Sequence, residues 1–157
     1  MTQELKLRLV NTEALLSKLH ALGATHTKDA TYEYTYFNQQ QGNILKLTKK
    51  GDTGTFKTVI KPNGQQFIID SSDRLADPEQ VRQELTAQYG VKKQLVNHRR
   101  FYSYEDYKIS INDIEQLGTF LIIEGVDPQL TFATNVLGIQ NPDVITESFD
   151  NVQPPYV

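Results

Sequence analysis

Leucine and charge alternate near the start of the chain: in ELKLRLV, Leu5, Leu7 and Leu9 interleave with Glu4, Lys6 and Arg8. Successive side chains of a strand point to opposite faces, so this segment reads as a strand with one aliphatic and one charged face. The pattern recurs. Between Thr31 and Ile69 lie the β-branched and aromatic runs ATYEYTYFN, NILKLTKK, GTFKTVIK and QQFIID, separated by QQGN, KGDTG and PNG, which read as hairpin turns. QLVNHRRFYSY, YKISIN and TFLIIEG follow, joined through YSYED and DIEQLG. The tail ITESFDNVQPPYV is strand-like at first and irregular at Pro154 and Pro155.

Helices punctuate the strands. Asn11 can cap a helix carrying Leu15, Leu16, Leu19 and Leu22 on one side, with Gly23 at the left-handed stop. Asp77 caps a second, with Pro78 at its first position, Gln80 placed to close a capping box, Val81, Leu85 and Tyr89 in line, and Gly90 as the stop. A short last helix is expected from Asp127 and Pro128 through Leu137, ended by Gly138. Each half of the chain thus runs strand, helix, antiparallel meander, a weak internal pseudo-repeat. The fold class is α+β, with about eight strands and two or three helices in one domain spanning residues 1–157. Periodicity does not show whether such a sheet closes.

Several strands carry cations opposite their aliphatic residues: Lys6 and Arg8, Lys46 and Lys50, Lys57 and Lys61, and Lys108. In one reading these faces are wet, as is usual for an antiparallel sheet covered on one side. In the other, the aliphatic faces lie outward under the helices and the charged faces line a closed barrel. That interior would gather five or more cations in a poorly solvated space and would need a polyanion or paired carboxylates to neutralise them. A phosphate chain suits it, because Lys and Arg supply permanent donors to many oxygens.

Bulk properties narrow the partners. A net charge of −3 argues against sequence-blind nucleic-acid binding, which runs on a basic surface. The chain has no cysteine, and His20, His26 and His98 lack metal-motif spacing. Its longest unbroken apolar run is Phe120 to Ile123, far short of a membrane helix, and MTQELKLRLV lacks the apolar stretch of a secretory signal. A cytoplasmic protein with neither nucleic-acid nor membrane partner is expected, and a homodimer is left open.

From Met1 to Val126 the chain resembles the CYTH superfamily, the triphosphate tunnel metalloenzymes that include class IV adenylate cyclases and thiamine triphosphatases. The motifs come in order. The family's E-x-E-x-K strand is met by Thr2, Glu4 and Lys6, its D-x-Y-F by Tyr34 to Phe37, and its L-R-I-R by Leu45 to Thr48. T-F-K resembles Thr55 to Lys57, with Thr58 to Lys61 as a rival register, and K-x-R-x-x-Y is represented by Asn97, Arg99 and Tyr102. L-D-x-V-x-x-L-G looks like Ile111 to Gly118, and G-x-F-x-E-x-E is answered by Gly118 to Glu124, the most specific match.

The resemblance implies a closed, eight-stranded antiparallel barrel whose interior holds a triphosphate-bearing small molecule: a nucleotide, inorganic triphosphate or thiamine triphosphate. It implies phosphate binding by Lys6, Lys46, Arg99 and one of Lys57 or Lys61, and a divalent metal, Mg2+ or Mn2+, held by Glu4 and Glu124. Magnesium wants hard oxygen ligands, and four carboxylate positions are lost, to Thr2, Tyr34, Asn112 and Ile122. Asp113 would restore one only if its strand slipped by a residue, and whether a neighbouring glutamate such as Glu33 replaces another is left open. The expected function is therefore triphosphate binding, with metal-dependent hydrolysis or adenylate cyclase-type activity if catalysis survives. The alternative is a catalytically inactive CYTH-fold module that binds or senses an anion.

Overall fold

The computed structural model describes residues 2–38 and 42–153. Part of the QQGN turn, together with Pro154 and Pro155, lies outside the described residues. The elements run β1 (Gln3–Arg8), α1 (Thr12–Ala21), β2 (Thr25–Phe37), β3 (Ile44–Lys50), β4 (Thr55–Asn63), β5 (Gln66–Arg74), α2 (Pro78–Tyr89), β6 (Val91–Tyr104), β7 (Tyr107–Ile114), β8 (Gly118–Gly125) and β9 (Asp143–Val144). The strand order is β5-β4-β3-β2-β6-β7-β8-β1-β9, and a further β1–β5 pairing closes β1 to β8 into an eight-stranded antiparallel barrel with β9 added on β1.

Closure settles the choice between the two readings of the charged faces. Leu5, Leu7 and Leu9 turn outward and pack with Ile109, Ile111, Leu121 and Ile123 under Leu15 and Leu19 of α1. Across the barrel, Leu45 and Leu47 lie under Leu85 of α2. Burying each such side chain contributes roughly 1.5–3 kcal/mol, so two helices on opposite sides hold the aliphatic faces outward. The charged faces of β1 and β3 consequently point into the barrel.

The helix signals are met with two differences. Asn11 accepts from the Ala14 amide at 3.0 Å and Asp77 from the Gln80 amide at 3.2 Å, as their cap positions require. The Gln80 side chain donates forward to Glu84 at 3.2 Å, so the capping box does not close. The last helix is reduced to a π-type turn, Phe132–Val136, which caps the Leu-rich cluster with Ala133 and Leu137.

The interior is not hollow throughout. Phe120, Ile122, Tyr36, Leu95, Phe149 and Val152 are all buried in one cluster that fills the end of the barrel nearest the C-terminal segment. The other end is open. No helix of the described residues is long and apolar enough to cross a membrane.

Candidate functional site

The open end is a cavity of about 550 Å3 whose wall includes Lys46, Lys50, Arg99 and Lys108. Strand alternation aims them there. Lys46, Thr48 and Lys50 share the inward face of β3, Arg99 and Phe101 that of β6, and Lys108 and Glu124 stand opposite each other on β7 and β8. From Lys46 to Lys50 the strand rises about 13 Å, so cations are spread along the depth of the cavity.

Among the described residues, none of these four cations has a carboxylate within ion-pair distance. Aromatic faces stand beside them. Lys46 Nζ lies 4.2 Å from the Tyr34 ring, Lys50 Nζ 4.5 Å from Phe56, and the Arg99 guanidinium 4.5 Å from Phe101. Such contacts stabilise a charge by about 0.5–2 kcal/mol while supplying no oxygen acceptor that an anion would have to displace. Burial lowers the Lys46 pKa to about 8, opposed by Glu4 and reinforced by Arg99. Lys50 is lowered by burial and then by Arg99. The charged forms of Lys46 and Lys50 are thus disfavoured by burial and by neighbouring cations, a state that a bound anion relieves.

Two wall atoms are also left without partners. Arg99 donates from Nη2 to Ser110 Oγ at 2.8 Å, yet its Nε has no acceptor. Thr48 is buried, and its Oγ1 makes no hydrogen bond. Buried polar groups are nearly always satisfied, so these two mark positions for ligand oxygens or water.

On the opposite wall Glu4 and Glu124 form a direct cross-strand pair between β1 and β8. Opposed residues on one face have Cβ atoms about 4.5–5.5 Å apart, where like charges destabilise each other. The Glu124 pKa is raised, first by desolvation and then by Glu4. No group of three or more acidic or histidine side chains able to hold a metal occurs among the described residues. Two facing carboxylates are the hard oxygen donors that could hold one divalent ion, since magnesium is commonly bound through one or two carboxylates with water.

Of the residues expected from the sequence, Glu4, Lys46, Arg99 and Glu124 line one cavity. Lys6 lies beneath it, 2% exposed, with Nζ 4.3 Å from the rings of both Phe67 and Phe149. Desolvation lowers its pKa to about 8, against a raising influence from Glu4. Lys57 and Lys61 do not line this cavity, although Asp70, the ion-pair partner of Lys61, does. On β4 it is Thr58 and Ile60 that line the cavity, so the two lysines share the outer face, and Lys61 pairs with Asp70 at 3.5 Å. Lys50 and Lys108 take their place. Alternation had marked both as charged-face residues, but neither occupies a family motif position.

The lost carboxylates have a structural counterpart. The Asn97 amide donates to the Tyr34 hydroxyl at 3.0 Å and to Asn112 Oδ1 at 2.9 Å, while Asn112 Nδ2 donates to Ser110 Oγ at 3.0 Å. Three departures from the motif therefore touch one another as a neutral network. The β7–β8 register has no slip there: Asn112 faces Phe120 inside, and Asp113 sits toward the outer face, accepting from Thr119 at 2.7 Å. Glu33 also points outward, toward Lys49 at 3.7 Å.

No family profile and no curated protein sequence matches the chain. Solved structures do. A protein of Pyrococcus horikoshii OT3 superposes with a TM-score of 0.83 at 23% identity, covering 98% of this chain and 99% of that one. A proposed adenylate cyclase of Vibrio parahaemolyticus gives 0.71 at 16% identity, with 94% of each chain covered. A proposed adenylyl cyclase of Hippeastrum with a dominant triphosphatase activity gives 0.64 at 17% identity, covering 95% of this chain and 93% of that one. With its closed barrel and inward charged strand faces, the chain has the fold of the CYTH superfamily.

Proposed function

We propose that the open end of the barrel binds a triphosphate-bearing ligand, with Lys46, Lys50, Arg99 and Lys108 as its phosphate contacts. The observation that carries this reading is the set of four wall cations without carboxylate partners. The unpartnered Arg99 Nε and Thr48 Oγ1 point the same way. A solved structure of this fold belongs to a protein with triphosphatase activity, which supports the ligand class.

Charge balance supports a bound divalent metal. A fully ionised nucleoside triphosphate carries about four negative charges, and the four cations are offset in part by Glu4 and Glu124, the third lining carboxylate, Asp70, being paired with Lys61. One magnesium or manganese between the two carboxylates would restore the match. When bound, such an ion would polarise a phosphoryl oxygen toward attack by water. This chain's own residues would hold the phosphates in line: Lys46 and Arg99 deeper, Lys50 and exposed Lys108 nearer the mouth.

A second reading, a catalytically inactive anion-binding module, is favoured by the neutral Tyr34–Asn97–Asn112 network and by buried Ile122, which leave acidic ligands on one wall only. Calorimetry with inorganic triphosphate, with and without magnesium, combined with a phosphate-release assay, tests both. Binding strengthened by magnesium, with phosphate release, is expected of the enzyme. Binding without release identifies the module, and no binding under any condition overturns the site itself.

A further inference from the structure

The barrel is sealed at the end opposite the cavity by its own C-terminal segment. Phe149 enters the interior, 1% exposed, with its ring 5.0 Å from Phe120 and 4.3 Å from Lys6 Nζ. The segment is held on both sides. The Ile145 amide donates to the Lys6 carbonyl at 2.8 Å, and Lys92 pairs with the largely buried carboxylate of Asp150 at 2.8 Å. Val152 completes the seal at 4% exposure. The ammonium of Lys6 is clamped between Phe67 and Phe149, so the deepest cation is part of this floor rather than of the open wall.

From this geometry we infer that the site is one-ended: it admits a linear phosphate chain only by a free terminal phosphate, and Phe149 sets the depth. The inference rests on the triphosphate reading above and adds the class of ligand. Compounds ending in an unsubstituted terminal phosphate enter end first, with any organic group left at the mouth beside Lys108. A chain cannot pass through. A phosphate chain longer than the cavity therefore extends out of the same opening.

Stoichiometry on a long linear polyphosphate tests this, because such a chain has two ends and many internal phosphates. With protein in excess, sedimentation velocity is expected to show at most two protein molecules per chain, and calorimetry one inorganic triphosphate per protein. Lys46→Ala should abolish the loading, which separates the cavity from the lysines of the outer face. Phe149→Gly should raise the number of molecules per chain above two by opening the floor. If that variant does not fold, the wild-type count still decides. Wild-type loading above two that Lys46→Ala removes would overturn the one-ended geometry while leaving triphosphate binding intact. Failure to bind inorganic triphosphate would instead overturn the binding reading.

Discussion

Affinity for a nucleoside triphosphate should fall as pH rises from 7 to 9. The terminal phosphate of a nucleoside triphosphate ionises at about pH 6–7, so such a ligand gains little charge across this window. Lys46 has a pKa of about 8 in the free protein, lowered chiefly by burial, so it loses its charge through the window. A bound polyanion favours the charged form and draws the pKa back toward or above the usual lysine range. Linkage then gives an affinity about tenfold lower at pH 9 than at pH 7 from Lys46 alone, and uptake of up to one proton per ligand bound at pH 9. Any coupling to Lys6, also at about 8, steepens the fall. Calorimetry with a nucleoside triphosphate such as ATP at pH 7, 8 and 9, repeated in two buffers of different ionisation enthalpy, measures affinity and proton uptake together. A flat affinity across the range with no buffer dependence would refute the claim that Lys46 meets the phosphates.

Arg99→Ala is expected to weaken triphosphate binding at least tenfold by removing a charged hydrogen-bonding group, whereas Lys57→Ala and Lys61→Ala should change it less than twofold, read by the same titration. Substituting Glu4→Gln and Glu124→Gln together should tighten binding without metal and remove the effect of magnesium, since the like-charged pair is lost with its ion site. Lys6→Met should stabilise the ligand-free protein near pH 7. Holding that lysine charged with a pKa of about 8 instead of 10.5 costs about 3 kcal/mol, offset by about 1–2 kcal/mol from its two aromatic contacts. The lowered pKa means the folded state binds fewer protons than the unfolded state between pH 8 and 10.5, so wild-type stability rises through that window. The net gain of about 1–2 kcal/mol should accordingly disappear toward pH 10.5 in urea titrations.

Legibility in the sequence followed the strength of local signals. Leu5, Leu7 and Leu9 against Glu4, Lys6 and Arg8 give one parity for β1, and the paired motifs around Arg99 and Glu124 give another two, so those inward faces were readable. On β4 both parities look alike, because Phe56, Thr58 and Ile60 alternate with Lys57, Val59 and Lys61. Only the pairing of Lys46 with Thr58 fixes which side faces in, and register is a property of the partner strand. The floor was not legible. Phe149 lies in an irregular segment and meets Phe67 through the shared Lys6 ammonium, a contact between distant parts of the chain that leaves no periodic trace.

The pattern of lost carboxylates gains a physical meaning once the structure joins them. Read one by one, Tyr34, Asn97 and Asn112 look like decay of a charged site. In space they are hydrogen-bonded neighbours, with Asn97 and Asn112 fully buried. Replacing one member of a buried charged cluster leaves its partner charge unpaired at several kcal/mol, whereas exchanging them together for neutral groups that bond one another leaves only the Asn97 Oδ1 without a partner. Ionised acids at positions 34 and 112 beside neutral Asn97 would place two uncompensated negative charges under the cavity, next to the anion proposed to bind there. With neutral groups at all three places, the cations above face one acidic wall instead of two. The arrangement fits a site that binds phosphate through Lys46, Lys50, Arg99 and Lys108 and accepts a single divalent ion between Glu4 and Glu124. Reinstating Asn112→Asp alone should therefore weaken metal-free triphosphate binding and lower stability by about 1–3 kcal/mol, while Asn112→Asp with Asn97→Lys should recover most of that stability in urea denaturation. A single variant as stable as wild type would show that the network tolerates charge and that its neutrality has no bearing on the site.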